Sequence, residues 1–194
     1  MSPPPRLVVL LSGTGSTLQN LIDRICAGTL EAQITGVVAS KPGILGVERA
    51  RKANIPYTVV EKKPAVTFGE RTFDAIRLYE PDLVVLAGWL HLLQIPPGFR
   101  TPIVNVHPSL LPAFGGPGMY GHRVHEAVLA SGAKESGCTV HLVDDTYDTG
   151  PILLQRSVPV ESSDTAESLA AKVQAAEREA YPEAIAKLLA SASR

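Results

Sequence analysis

Two apolar runs, "LVVLAG" and "IVNVH", show no regular alternation of polar and apolar residues, and this constrains the fold more than any other feature. A strand that is apolar on both faces must be covered on both faces. That is the condition of a strand inside a parallel sheet flanked by helices. The rest of the first half agrees. "RLVVLL" leads through a glycine turn into "STLQNLIDRICAG", whose Leu18, Leu21, Ile22 and Ile25 fall at helical spacing. "ITGVVAS", the helical "GVERARKAN", the short strand "YTVV" and a helix running up to "AIRLYEPD" continue the alternation. The expected fold class is therefore α/β, a doubly wound, mostly parallel open sheet.

From about Ser131 the pattern changes. "CTVHLV" reads as a strand with one wetter face and "PILLQRSVPV" as a second, joined by the turn-rich "DDTYDTG". The pair predicts an antiparallel C-terminal extension of the sheet. "DTAESLAAKVQAAEREAYPEAIAKLLA" predicts one long C-terminal helix, with Asp164 or Thr165 as N-cap and a kink at Pro182. No repeat, linker or second core interrupts the 194 residues, so 1–194 reads as a single domain.

A formal net charge of -1 gives no global attraction to nucleic acid or an anionic membrane, so any bound anion must be held by local geometry. Cys26 and Cys138 lie far apart without metal-type spacing and read as buried thiols. The opening "MSPPPRLVVLL" lacks a signal-peptide pattern and is too short to span a bilayer, which points to the cytoplasm.

Two segments carry chemistry. In "LVVLLSGTGSTLQNL", Gly13 and Gly15 let backbone N–H groups approach a ligand, and Ser16 and Thr17 place hydroxyls at a helix N-terminus. A single phosphate fits there; a tight structural turn is the competing reading. A dinucleotide site is disfavoured, because Leu18 takes the third glycine position and "VVASK" ends without an acidic residue. No "GK[ST]" follows, which excludes a P-loop.

In "IVNVHPSLLP", Asn105 and His107 point to one face of a strand, and Pro108 ends it. An amide and a protonated imidazole can both donate to a developing oxyanion, and a carboxylate is needed to keep the imidazole charged. Asp144, Asp145 and Asp148, in "VDDTYDTGP", are the candidates, with Asp148 at the tightest turn. The competing reading has Asn105 capping a loop and His107 packing against the prolines. No serine or cysteine stands in a nucleophile elbow, so direct transfer fits better than a covalent intermediate. His122 and His125, one helical turn apart, lack a third metal ligand and read as a solvated helix face; no metal is expected. His141 could face the cleft with Asp148, or water. His91, in "GWLHLL", falls on a loop after a strand.

Taken together, "VVLLSGTGSTLQNLI", "GVERARKANI", "PDLVVLAGWLHLL", "IVNVHPSLLP", "GCTVHLVDDTYDTGPILLQ" and "EREAYPEAI" resemble the folate-dependent formyltransferases, in family order and over nearly the whole chain. The Ser-Gly-x-Gly-Ser loop is similar to the branch acting in de novo purine biosynthesis rather than on methionyl-tRNA. That second branch carries a C-terminal domain for which this chain has no room. The resemblance implies transfer of the formyl group of 10-formyltetrahydrofolate to the amine of glycinamide ribonucleotide, with folate as co-substrate and no metal. Asn105 and His107 match the oxyanion-binding pair, and Asp148 the carboxylate beside the imidazole. Gly13, Gly15, Ser16, Thr17, Gly88 and Glu177 match substrate-binding positions. Leu90, His91, Leu92, Leu93, Val143, Asp144 and Arg71 match the folate-binding segments. On this resemblance the N-terminal part binds the nucleotide phosphate and the C-terminal part contributes to the folate pocket.

Some residues depart from the family pattern. His91 stands where many members carry Arg or Lys, and Arg71 is one place from the usual arginine. The glycine-rich "AFGGPGMYGHRVHEAV" is longer than the shortest family versions. A 10-formyltetrahydrofolate hydrolase and a non-catalytic nucleotide-binding module are the alternative functions. The hydrolase relatives carry an added N-terminal domain, for which "MSPPPRLVVLL" leaves no space. A homodimer through an exposed helix or sheet edge is compatible with the sequence, and neither nucleic acid nor membrane is an expected partner.

Overall fold

The computed structural model describes residues 3–192. Seven strands form one sheet in the order β3-β2-β1-β4-β5-β6-β7. They are β1 (Arg6–Leu11), β2 (Gln33–Ala39), β3 (Tyr57–Val59), β4 (Leu83–Leu86), β5 (Ile103–His107), β6 (Glu135–Leu142) and β7 (Ile152–Pro159). The helices are α1 (Ser16–Cys26), α2 (Leu45–Lys52), α3 (Phe68–Leu78), α4 (His122–Ser131) and α5 (Ala166–Ala192). β1 pairs in parallel with β2 and β4, β2 pairs in parallel with β3, and β6 and β7 are antiparallel. The doubly wound sheet with its antiparallel extension and long terminal helix is thus the architecture present.

The chain divides into two compact units. One runs through Val104 and includes the C-terminal end from Leu189; the other is Asn105–Leu188. In the first unit β1 is buried from Leu7 to Leu11, and β4 is buried throughout, so both strands are sealed on both faces. Helix α1 turns Leu18 and Leu21 inward, and α3 buries Phe68, Thr72, Phe73, Ala75 and Ile76.

In the second unit the expected wetter face of β6 is absent. Residues 136–141 of β6 are all buried, and the mixed exposure falls instead on β7, the last strand of the order. An edge strand keeps one side open to solvent, whereas β6 is paired on both sides. Helix α5 buries Leu169, Val173, Ala176, Ala180 and Ile185, a stripe at helical spacing, and runs through Pro182. Thr165 is its cap: the Thr165 hydroxyl accepts from the Ser168 N–H at 3.2 Å, and the Ser168 hydroxyl accepts from the Thr165 N–H at 3.0 Å. Asp164 braces the same turn by accepting from the Glu161 N–H and from Lys172, each at 2.8 Å. That pairing, with Lys172 as the largest cause, pulls its carboxyl down to about 2.

The two thiols differ from expectation. Cys138 is buried on β6, where burial pushes its thiol up to about 12, but Cys26 is exposed at the last turn of α1. Cys26 follows Leu21, the last buried residue of α1, by five positions, past the end of the buried stripe. Among the described residues, no helix is long and apolar enough to cross a membrane, and no group of three His, Cys, Asp or Glu is placed to hold a metal ion.

Candidate active site

In the first unit, the "SGTGST" turn is built almost wholly from main chain. Gly15 caps α1 in the left-handed region (φ 72°), without a side-chain cap. A Cβ there would sit 2.6 Å from the Gly46 Cα, so two glycines let the starts of α1 and α2 meet. The Gly46 N–H donates to the Gly13 carbonyl at 3.1 Å, and Arg49 donates to the Thr14 carbonyl at 3.0 Å and to Gln19 Oε1 at 3.1 Å. The first turn of α1 holds no acidic residue, and Ser16 is exposed. Its free N–H groups and the helix dipole therefore favour an anion. Ser12 ties this turn to the next loop: its N–H donates to the Gly88 carbonyl at 3.1 Å, and its hydroxyl accepts from the Leu90 N–H at 3.2 Å.

That next loop carries Leu90, His91, Leu92 and Leu93. Leu93 and Trp89 are buried, while Leu90 and Leu92 are exposed. Phe68 stacks on Trp89, and His91 meets both rings edge-on. Trp89 Nε1 and His91 Nε2 are buried without hydrogen-bond partners, polar positions that a ligand or water would satisfy. Burial, then Lys62 and Lys41, hold the His91 imidazole below its ordinary value, so at neutral pH it carries little of the charge that an Arg or Lys would supply. Arg71 spends its guanidinium locally: it donates to the Glu61 carbonyl at 2.9 Å, the Pro64 carbonyl at 3.1 Å and Thr67 Oγ1 at 3.2 Å.

In the second unit, the polar groups are side chains and they converge. His107, at the end of β5, places Nδ1 3.4 Å from Asp148 Oδ2. His141, on β6, places Nε2 3.6 Å from Asp148 Oδ1 and 3.2 Å from Asn105 Nδ2. Both imidazoles are buried. Asp148 also accepts the Gly116 N–H at 2.9 Å. Of the three aspartates left open by the sequence, this one faces His107. Asp144 instead folds the turn, accepting from the Thr146 N–H and the Thr149 hydroxyl, each at 2.9 Å. Asp145 and Val143 flank it, exposed and half-buried.

The "HPSLLP" string is held rigid from β6 and β7. Thr139 donates its hydroxyl to the Ser109 carbonyl at 2.7 Å and accepts the Leu111 N–H at 2.9 Å; Gln155 donates to the Leu111 carbonyl at 2.9 Å. The His107 ring is buried but committed to polar partners, and of the two prolines Pro108 is half-buried and Pro112 exposed.

The charge on His107 differs from expectation. Burial is the largest influence and lowers its pKa; Asp148 and the Phe114 carbonyl pull it back up without prevailing. Its Nε2–H donates to the Phe114 carbonyl at 2.8 Å. Sequence reasoning could not see that contact, because it is made by main chain from a loop with Phe114 itself in the left-handed region (φ 55°). The Asp148 carboxyl is held below its usual range: burial works against this, and His141, His107 and the Gly116 N–H together outweigh it. Glu177 lies on α5, where burial alone pushes its carboxyl up to about 7. His125 corrects the solvated-face reading of α4: it is buried with Nδ1 unpartnered, whereas His122 is exposed.

Comparison with known proteins finds relatives over almost the whole chain. The family described as formyl transferase matches residues 5–185. The chain is 43% identical over 188 residues to a chloroplastic phosphoribosylglycinamide formyltransferase of Vigna unguiculata, covering 94% of this chain and 60% of that protein. It is 41% identical over 193 residues to the trifunctional purine biosynthetic protein adenosine-3 of Drosophila melanogaster, covering 95% of this chain and 14% of that one. The chain thus spans less than two thirds of these curated relatives. Among solved structures, glycinamide ribonucleotide transformylase 1 from Symbiobacterium toebii superposes with a TM-score of 0.87 at 36% identity, covering 96% of this chain and 88% of that chain. Phosphoribosylglycinamide formyltransferase from Bacillus halodurans does so at 0.86 and 34%, covering 96% of each. With its sheet order, its "NVHPSLLP" strand end and the match over residues 5–185, this chain belongs to the formyl transferase family.

Proposed function

We propose that the chain transfers the formyl group of 10-formyltetrahydrofolate to the amine of glycinamide ribonucleotide, a step of purine biosynthesis, and that residues 1–194 work as one formyltransferase domain. The observation that carries this reading is the meeting of Asn105, His107 and Asp148 in one cluster, His107 directly against Asp148 and Asn105 joined to it through His141. A module that only bound nucleotide would have no use for a buried carboxylate between two imidazoles.

The co-substrate supplies an activated formyl carbon on a nitrogen leaving group. A C–N bond forms to the incoming amine, the bond to the folate nitrogen breaks, and one proton passes from amine to leaving nitrogen. The protein must stabilise negative charge on the formyl oxygen and carry that proton. Asn105 Nδ2 has two N–H groups, one turned to His141 and one left for the oxygen. His107 is neutral at rest but, once protonated, meets an acceptor at each nitrogen, Asp148 on one side and Phe114 on the other. It is suited to hold the proton in transit and to place a positive charge beside the reacting centre. For Nε2 to donate to the substrate directly, the Phe114 carbonyl must first give way.

Gly13, Gly15, Ser16, Thr17 and Gly88 take the nucleotide phosphate and its sugar side, with Glu177 for the ribose hydroxyls. Leu90, His91, Leu92, Leu93, Arg71, Val143 and Asp144 take the folate. The unpartnered Trp89 and His91 nitrogens support a polar ligand at that loop. The two described cysteines are free, which supports a reducing compartment such as the cytoplasm. No residue from a second chain enters this reading, and a homodimer is compatible with it.

The test is formyl transfer from 10-formyltetrahydrofolate with and without glycinamide ribonucleotide. Formylated nucleotide is the expected product. Formate release without nucleotide would instead mark a hydrolase, and nucleotide binding without turnover a binding module.

A further inference from the structure

Ser12 and Ser40 form a buried hydroxyl pair that takes no part in the transfer chemistry above. Ser12 directly follows β1 and Ser40 directly follows β2. The Ser40 hydroxyl donates to Ser12 Oγ at 2.8 Å, and the same oxygen accepts the Leu90 N–H at 3.2 Å. The Ser12 N–H in turn donates to the Gly88 carbonyl at 3.1 Å. One residue of the glycine turn therefore pins the neighbouring loop at Gly88 and at Leu90, on either side of Trp89. Residues 87–102, between β4 and β5, belong to no helix or strand. Their path is set by contacts of this kind and not by a ladder of backbone bonds.

A peptide unit is planar, so holding the Leu90 N–H also holds the plane that joins Trp89 to Leu90. The side chains next to that plane are Trp89 and His91, whose Nε1 and Nε2 are buried without hydrogen-bond partners. Phe68 stacks on Trp89 at 5.9 Å, but a stacked pair can slide in its plane, whereas a hydrogen bond fixes a point. We propose that Ser12, although it stands in the nucleotide turn, is a positioning residue for the folate. Its hydroxyl registers the Trp89–His91 main chain, and with it the polar groups that the loop offers a ligand. This rests on the formyltransferase reading and adds to it the residue that sets one substrate's loop against the other substrate's turn. Ser40 supports the hydroxyl, while its own N–H is bonded to the Leu11 carbonyl and not to the loop.

The test compares Ser12→Ala with Ser40→Ala. Ser12→Ala removes the acceptor for Leu90 and keeps the main-chain bond to Gly88. It is expected to raise KM for 10-formyltetrahydrofolate about tenfold, the scale of one hydrogen bond lost with its donor left behind, and to leave KM for the nucleotide unchanged. Ser40→Ala deletes a buried hydroxyl of the same kind but keeps that acceptor, so both KM values should stay at the wild-type level. Trp89 is the chain's single tryptophan and is 8% exposed, so its fluorescence reads the loop with no ligand present. Acrylamide quenching of Trp89 should rise in Ser12→Ala and not in Ser40→Ala, with thermal midpoints as a check on folding. If Ser12→Ala does not fold, Ser12→Cys decides: its sulfur is a weaker acceptor of similar shape and should give the same split at smaller size. A merely structural hydroxyl pair would move both variants alike. Equal effects from the two positions, or unaltered quenching in Ser12→Ala with transfer intact, overturn this proposal and leave the transferase reading standing. A wild-type chain with no formyl transfer overturns that reading, and this one with it.

Discussion

The glycine turn of the first unit and the imidazole cluster of the second solve opposite problems. The turn holds its shape through backbone hydrogen bonds and two glycines, and the anion site proposed there would be made of N–H groups that cannot titrate. The cluster holds its shape through side chains, two of which, His107 and Asp148, have displaced pKa values. A phosphate has a fixed charge through the reaction, so a fixed field suffices. A reacting centre gains and loses charge and protons, and only titratable groups can follow it. On the proposed function, binding is built from backbone and chemistry from side chains.

Substitutions in the cluster should sharpen that contrast most. Asp148→Asn removes the charge beside His107 while keeping the shape, and should lower kcat by about 10²–10⁴-fold, the range of general acid–base assistance. Calorimetric binding of the nucleotide alone should be unchanged; an equal loss of both would erase the division between the two regions. Asn105→Ala removes one donor and should lower kcat by about 10²–10³-fold, again with nucleotide affinity retained.

The turn should fail in the other sense. Gly15→Ala brings a Cβ within 2.6 Å of the Gly46 backbone at a positive φ. We expect a rise in KM for the nucleotide and a loss of about 1–3 kcal/mol of stability by denaturant titration, with kcat nearly kept. A fall in kcat without a change in KM would mean that the turn takes part in the chemistry.

Two smaller effects concern pH. Glu177 has its folded-state value raised from 4.5 to about 7, so the folded chain binds its proton more tightly than the unfolded chain does. Its contribution is favourable below 4.5 and is lost as the pH rises through 7. Glu177→Gln should therefore raise the thermal midpoint at pH 8 by a few degrees, at about 2–4 °C per kcal/mol, and change it little at pH 4. Asp164 has the opposite sign. Its lowered value stabilises the start of α5 above the unfolded value of 3.8, and this is lost as the pH falls toward about 2. Asp164→Asn should match wild type at the acid end of that window and be slightly less stable at neutral pH.

Much of this was legible in the residues themselves. Unbroken apolar runs identify strands sealed on both faces, and the period-2 placement of Asn105 and His107 puts them on one side of β5. Those are local properties, set by where a backbone points successive side chains. What local pattern could not reach were the contacts that depend on two distant segments meeting. Spacing left three aspartates within five positions open, with Asp148 favoured at the tightest turn and by the resemblance, and the folded turn brings Asp148 to His107 while using Asp144 to tie itself together. His125 reads from the sequence as part of a solvated face, since no third metal ligand has suitable spacing, yet it is buried.

The same division holds at the level of charge. Residue order was enough for the sheet, the glycine turn and the residue types that could act, because periodicity and φ preferences are properties of short stretches of chain. The tertiary structure alone decided which way the Asn105 amide faces, that His107 rests below its ordinary pKa, and that a loop carbonyl occupies its Nε2. Those depend on desolvation and on polar partners brought from 7 to 41 positions away, and only a closed fold brings such partners within reach.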